Sequence, residues 1–127
     1  MGWTEGKRSY VVGATSLEAF RRVKIGTDGL LVYADASDAG DGVTMYYSPA
    51  GSVTTIAPLG SMMTVEIEVS EAIGFGVDVY AANNGMIRLL PVTAGTYTKI
   101  GKAVATAAAA NDVIEIEPRQ VGVTRTV

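Results

Sequence analysis

The sequence predicts a mainly β protein: a single-domain β-barrel or β-sandwich with at most one or two short helices. Three observations lead to this. Residues 63–69 alternate, with Met63, Val65, Ile67 and Val69 on one side and Thr64, Glu66 and Glu68 on the other, the pattern of a half-buried strand. Asn84-Gly85 lies between two apolar runs, and a type I′ hairpin turn needs residues that tolerate positive φ at both central positions. Short apolar segments recur between Gly, Asp, Asn and Pro clusters, the spacing of a sandwich or barrel.

Taken in order, residues 1–13 are polar, contain glycine, and read as a flexible N-terminal arm. The β domain is expected over residues 14–120, with a C-terminal tail at 121–127. Thr15-Ser-Leu-Glu18 fits a capping box, Thr15 as N-cap and Glu18 three residues on, and predicts a helical turn. Residues 21–25 form a strand ending at Gly26, and Asp28-Gly29 a turn into an apolar strand at 30–34. The run Asp35-Ala-Ser-Asp-Ala-Gly-Asp-Gly42 is a loop. Residues 43–48 and 53–56 are strands flanking Pro49-Ala-Gly51. Phe75, Val77 and Val79 repeat the alternation, and residues 86–90 form the return strand, closed by Pro91. Val113, Ile114 and Ile116, with Glu115 and Glu117 between them, make a late strand. Residues 101–110 leave two readings open. Their alanines favour helix, whereas Gly101, Val104 and Thr106 suit an extended strand of small residues. The expected core is Val65, Ile67, Val77, Val79, Ile87 and Ile116.

Composition narrows the function classes. A chain of 127 residues suits one domain and buries roughly two-thirds of its unfolded surface. It has no cysteine and no histidine, which removes disulfides, thiolate chemistry, the commonest general base and the commonest metal ligand. No basic-then-apolar leader is apparent, so no secretory signal is expected, and no apolar run approaches the ~20 residues that cross a bilayer. Net charge is −3 but unevenly spread. Residues 1–25 hold Lys7, Arg8, Arg21, Arg22 and Lys24 against Glu5 and Glu18. Residues 26–80 hold eight acids and neither Lys nor Arg. Such an acidic middle repels a phosphate backbone, so neither nucleic acid nor a membrane is expected as partner.

Motifs for chemistry are weak. Gly74-Phe-Gly76 falls short of a dinucleotide fingerprint because Val79 stands at the third glycine. Gly101-Lys102 falls short of a phosphate loop, with Thr96 at the first glycine and Ala103 where a magnesium-binding hydroxyl belongs. Asp35, Asp38 and Asp41 are three apart, unlike the spacing of a calcium loop, whose bidentate Glu would fall at Tyr46. The Glu66/Glu68 and Glu115/Glu117 pairs suit glycoside cleavage in principle, but strand alternation itself calls for polar residues there. The reading is therefore no enzyme, no catalytic residue, no cofactor and no metal. Trp3 stands outside any periodic segment, as an arm tucked onto its own domain or an anchor for another subunit.

Four segments carry a resemblance: Arg22-Val-Lys-Ile25 before a turn, Ile73-Gly-x-Gly-x-x-Val79 leading into Asn84-Gly85, Ile100-Gly-Lys-Ala103, and Asp112-Val-Ile-Glu-Ile116. In these, over residues 20–118, the chain resembles the small capsid decoration (cement) proteins of tailed phages. The resemblance implies a β-rich virion protein made in the host cytoplasm. It would bind the exterior of the phage head and bridge major capsid subunits, as a homotrimer. The resemblance maps no binding residue; from the arm's own composition, Trp3 for burial and Lys7 and Arg8 for charge are the expected capsid contacts. The alternative is a β-module that binds glycan or a cell surface, through Tyr46, Tyr47 and Tyr80 or through calcium at the aspartate loop.

Overall fold

The computed structural model describes residues 8–60 and 63–127. It holds eleven strands: β1 Arg8–Val11, β2 Arg22–Ile25, β3 Leu31–Tyr33, β4 Gly42–Thr44, β5 Val53–Pro58, β6 Val65–Glu68, β7 Asp78–Ala81, β8 Ile87–Arg88, β9 Thr96–Ala103, β10 Val113–Pro118 and β11 Thr124–Thr126. They form two antiparallel sheets, one ordered β1-β5-β4-β2-β3 and the other β6-β10-β9-β7-β8, with β11 pairing β9 where β10 leaves it. The result is a sandwich rather than a closed barrel, without an α-helix among the described residues and with one 3-10 turn at Asn83–Gly85.

The apolar alternation builds two cores. In β6 and β10, Val65 and Ile67 lie opposite Ile116 and Ile114, and all four are buried with Ile73, Val79, Ile87 and Ile100. Val43 of β4 joins this cluster and Ala57 of β5 packs against it, so the first sheet covers the second. The other face of the first sheet encloses Val12, Leu17, Val23, Leu31 and Ile56. That sheet is curled, and an isolated bridge between Val12 and Leu31 ties its two edges at one point.

A fully buried polar side chain helps to join the sheets. Arg22 on β2 has no exposed surface. Its Nε donates to Met86 O (3.1 Å), one terminal nitrogen to Ala39 O (3.0 Å) and Asp38 O, and the other to Ala82 O (2.7 Å) and Asp35 O (3.2 Å). A guanidinium has five N–H donors, and here each meets a carbonyl. The partners come from the 35–39 loop and from both sides of the β7–β8 turn. Burial pushes the Arg22 pKa down to about 10, against the pull of Asp38 and Asp35, which leaves it a cation at neutral pH. The turn itself has the expected geometry, with φ of 57° at Asn84 and 73° at Gly85. Gly85 is required twice over: its φ is left-handed, and a Cβ there would lie 2.4 Å from Arg22 O.

Several expectations are corrected. Residues 15–18 are not helical, because Leu17 fills the first-sheet core and exchanges both backbone hydrogen bonds with Ser48 (2.9 and 2.8 Å). Residues 101–110 are strand only to Ala103; then Ala107 pairs with Ile73, and Asp112 Oδ2 accepts the Ala108 and Ala109 N–H groups. Tertiary pairing there outweighs alanine's helix propensity. Phe75 and Val77 are not core residues: 71% and 40% exposed, they lie in a turn before β7, with Gly76 at φ 81°. Met63 is likewise exposed, ahead of β6. The β architecture also reaches beyond residues 14–120. Arg8–Val11 pairs with β5 and Thr124–Thr126 with β9, taking in parts of the expected arm and tail.

Two stability predictions follow from these contacts, both read by urea denaturation. Arg22→Met strips donors from several buried carbonyls and is expected to destabilise by about 3–5 kcal/mol, while Arg22→Lys, with three donors, falls between it and the natural protein. A loss under about 1 kcal/mol for Arg22→Met would contradict the clamp. Ile67→Ala should cost about 2–5 kcal/mol and Val77→Ala less than about 1 kcal/mol, a contrast that disappears if Val77 is buried after all.

Candidate functional site

Trp3 and Lys7 lie outside the described residues. Arg8 opens β1 with its backbone opposite Ile56, and its side chain lies outside the described part.

The aspartate loop does not form a cation cage, and no group of three acidic residues suited to a metal occurs among the described residues. Each carboxylate has its own local task. Asp35 Oδ1 accepts the Ser37 N–H (2.9 Å) and hydroxyl (2.8 Å), which holds its pKa below the usual carboxylate value. Asp38 takes Lys24 Nζ at 2.8 Å, a hydrogen bond that raises the lysine's pKa. Asp41 Oδ2 accepts the Ile25 N–H at 2.8 Å. Of the tyrosines named for stacking, Tyr46 and Tyr47 are exposed, but Tyr80 is only 3% exposed and lies in the core.

One feature with the shape of a binding surface is a groove of about 340 Å³ where the two sheets meet. Val43, Ala57 and Val65 make its floor and Phe20, Met45 and Met63 its walls. Glu66 and Glu115 stand on its rim, directly opposite each other across β6 and β10. Like charges in facing positions repel. Thr64 hydrogen-bonds Glu115, but neither acid has an ion-pair partner among the described residues. Their neighbours do. Glu68 takes Arg21 at 3.1 Å and Asn111 at 2.8 Å, and Glu117 takes Arg119 at 2.6 Å.

Phe20 is the groove residue that sequence reasoning missed. Its φ is +62°, a region that bulky residues rarely occupy and that costs on the order of 1–3 kcal/mol. Both sheets impose it: Phe20 N–H donates to Thr44 O (2.9 Å) in the first sheet and Phe20 O accepts Glu68 N–H (2.8 Å) from the second. The position of Phe20 just before Arg21-Arg22 carries no signal of this, since the strain comes from contacts 24 and 48 residues away.

No protein-family model matches the chain, and no curated protein matches it by sequence. Among solved structures it is similar to the head fiber gp8.5 N base in bacteriophage phi29, with a TM-score of 0.71 at 15% identity. The match covers 92% of this chain and 98% of that one. At that identity the likeness is one of fold, and it supports the single mainly β architecture along almost the whole chain.

The rim charges give a testable contrast. In the chain without residues 1–7, Glu66→Gln relieves the facing acids and is expected to raise stability by about 0.2–1 kcal/mol, the gain shrinking with added salt. Glu68→Gln, which weakens the largely buried Arg21 pair (13% and 15% exposed side chains), should lower it by about 1–3 kcal/mol. Equal effects in thermal denaturation at low salt would rule out repulsion at the rim.

Proposed function

We propose that this protein is a structural component of a tailed-phage virion, seated on the exterior of the head as a decoration (cement) protein that bridges major capsid subunits. The observation that carries the reading is the full-length likeness in fold to a phage head fiber base. The sequence resemblance to decoration proteins, through the turn and strand segments at 22–25, 73–85, 100–103 and 112–116, points the same way.

The physical case concerns rigidity and valency. A shell filled with packaged genome is weakest where its subunits meet. A protein seated there resists separation only if it does not itself yield. Here two cores, the Arg22 clamp and the Arg21–Glu68 ion pair hold both sheets as one body. Several modest contacts to different subunits then make release slow without any single strong one. A homotrimer on a junction of three subunits would multiply the contacts again. Trp3, Lys7 and Arg8 remain the residues proposed for head contact. Arg8–Val11 belongs to the sheet, so the arm proposed for head contact is shortened to residues 1–7.

The test is sedimentation of undecorated, expanded heads mixed with purified protein. The full-length chain is expected to co-sediment, and deletion of residues 1–7 to leave the domain folded by circular dichroism while lowering occupancy severalfold, with Trp3→Ala giving part of that loss. Full-length protein that stays in the supernatant from low to moderate salt would overturn the cement reading.

A further inference from the structure

β1 enters the first sheet with Arg8 opposite Ile56 of β5. Ala57 is the next residue of β5, so the chain before Arg8 begins beside it. Ala57 is part of the groove floor. Met63 and Val65, ahead of and in β6, line the same groove. Seven extended residues span ~23 Å, enough to cover the groove.

The chemistry of the two parts is complementary. The groove is apolar below, with methionine walls that suit an aromatic ring, and the chain holds one tryptophan, Trp3, in this segment. The rim carries the facing acids Glu66 and Glu115, without an ion-pair partner among the described residues, and the segment brings Lys7. Gly2 and Gly6 leave the segment free to bend into the groove. Glu5 is the one charge in it that opposes docking.

We infer that in the free protein residues 1–7 dock in this groove of their own chain, with the Trp3 indole on the apolar floor and Lys7 between the rim carboxylates. The groove then serves as a storage site for the arm, which a head subunit must outcompete before the arm can reach the capsid. The docking itself stands apart from the head reading, and its failure would leave the sedimentation result untouched.

Trp3 is the only tryptophan, so intrinsic fluorescence of the full chain reports on this residue alone. Its emission is expected to lie to the blue of a free indole, with acrylamide quenching severalfold weaker than in a peptide of residues 1–7. Met45→Glu or Met63→Glu, at half-buried and exposed positions, should restore free quenching while circular dichroism stays native. Glu66→Gln with Glu115→Gln should weaken protection, and Glu5→Gln should strengthen it. Free quenching in the natural chain overturns the inference, as does protection that both groove variants leave intact. The remaining occupant, a second copy's arm, is tested by mixing the Met45→Glu chain with an excess of Trp3→Ala chain, whose groove is intact. Recovered protection would assign the groove to another copy and overturn docking within one chain, whereas unchanged quenching supports it.

Discussion

The structure depends on a buried cation whose hydrogen bonds all go to backbone carbonyls. Taking a guanidinium out of water is expensive, and in this fold five backbone carbonyl dipoles offset that cost. The carbonyls lie on the loop after β3 and the two shoulders of the β7–β8 turn, segments that are also joined directly by Gly85 N–H on Ala34 O (2.8 Å) and Ala36 N–H on Asn83 Oδ1 (3.3 Å). Without the guanidinium the carbonyls of Ala82, Ala39 and Asp38 would lose the donor they meet here, while Met86 O keeps the Ala82 N–H and Asp35 O the Asp38 N–H; without these carbonyls it could not be buried. Gly85 extends the same dependence to the backbone, since the turn can approach Arg22 only where no Cβ intervenes. A second close approach works alike, because a Cβ at Gly101 would lie 2.2 Å from Glu117 O across the β9–β10 pairing.

From this clamp follow the features that bear on function. Holding β2 against the second sheet places Phe20 between Thr44 and Glu68, which forces its positive φ and turns it into a groove wall. The groove is thus a by-product of how the sheets are joined, with strain fixed in it by hydrogen bonds from both sides. The acids divide in the same way. Glu68, beside the clamp, is consumed by Arg21 and Asn111, whereas Glu66 and Glu115, farther along the strands, keep their charge for something else to meet.

Much of the fold was legible because its signals are local. The alternation of β6 and β10 and the Asn84-Gly85 turn each depend on a few neighbouring residues, and the structure has them as expected. Phe75 and Val77 misled because apolar residues two apart also occur in a glycine turn, and Asp78 starts the strand only afterwards. The Ala-rich tract stayed open between helix and strand, and residues 15–18 misled, because their pairing partners, Ile73 and Ser48, lie 34 and 31 residues away. Arg22 looked like an ordinary strand cation, since its acceptors are 13 to 64 residues distant. The groove was hidden for the same reason: its walls come from separate segments around residues 20, 45 and 63. Trp3 and Lys7, which sequence reasoning did single out, lie beyond the described residues.

The central functional claim is that this rigid two-sheet body sits on the outside of a phage head and spans neighbouring subunits. An electron cryo-microscopy reconstruction of heads incubated with the protein tests it most directly. The account predicts added density on the outer surface at junctions between major capsid subunits, with the two-sheet domain fitting as a single body. Density confined to the middle of individual subunits, or heads unchanged by the incubation, would contradict it.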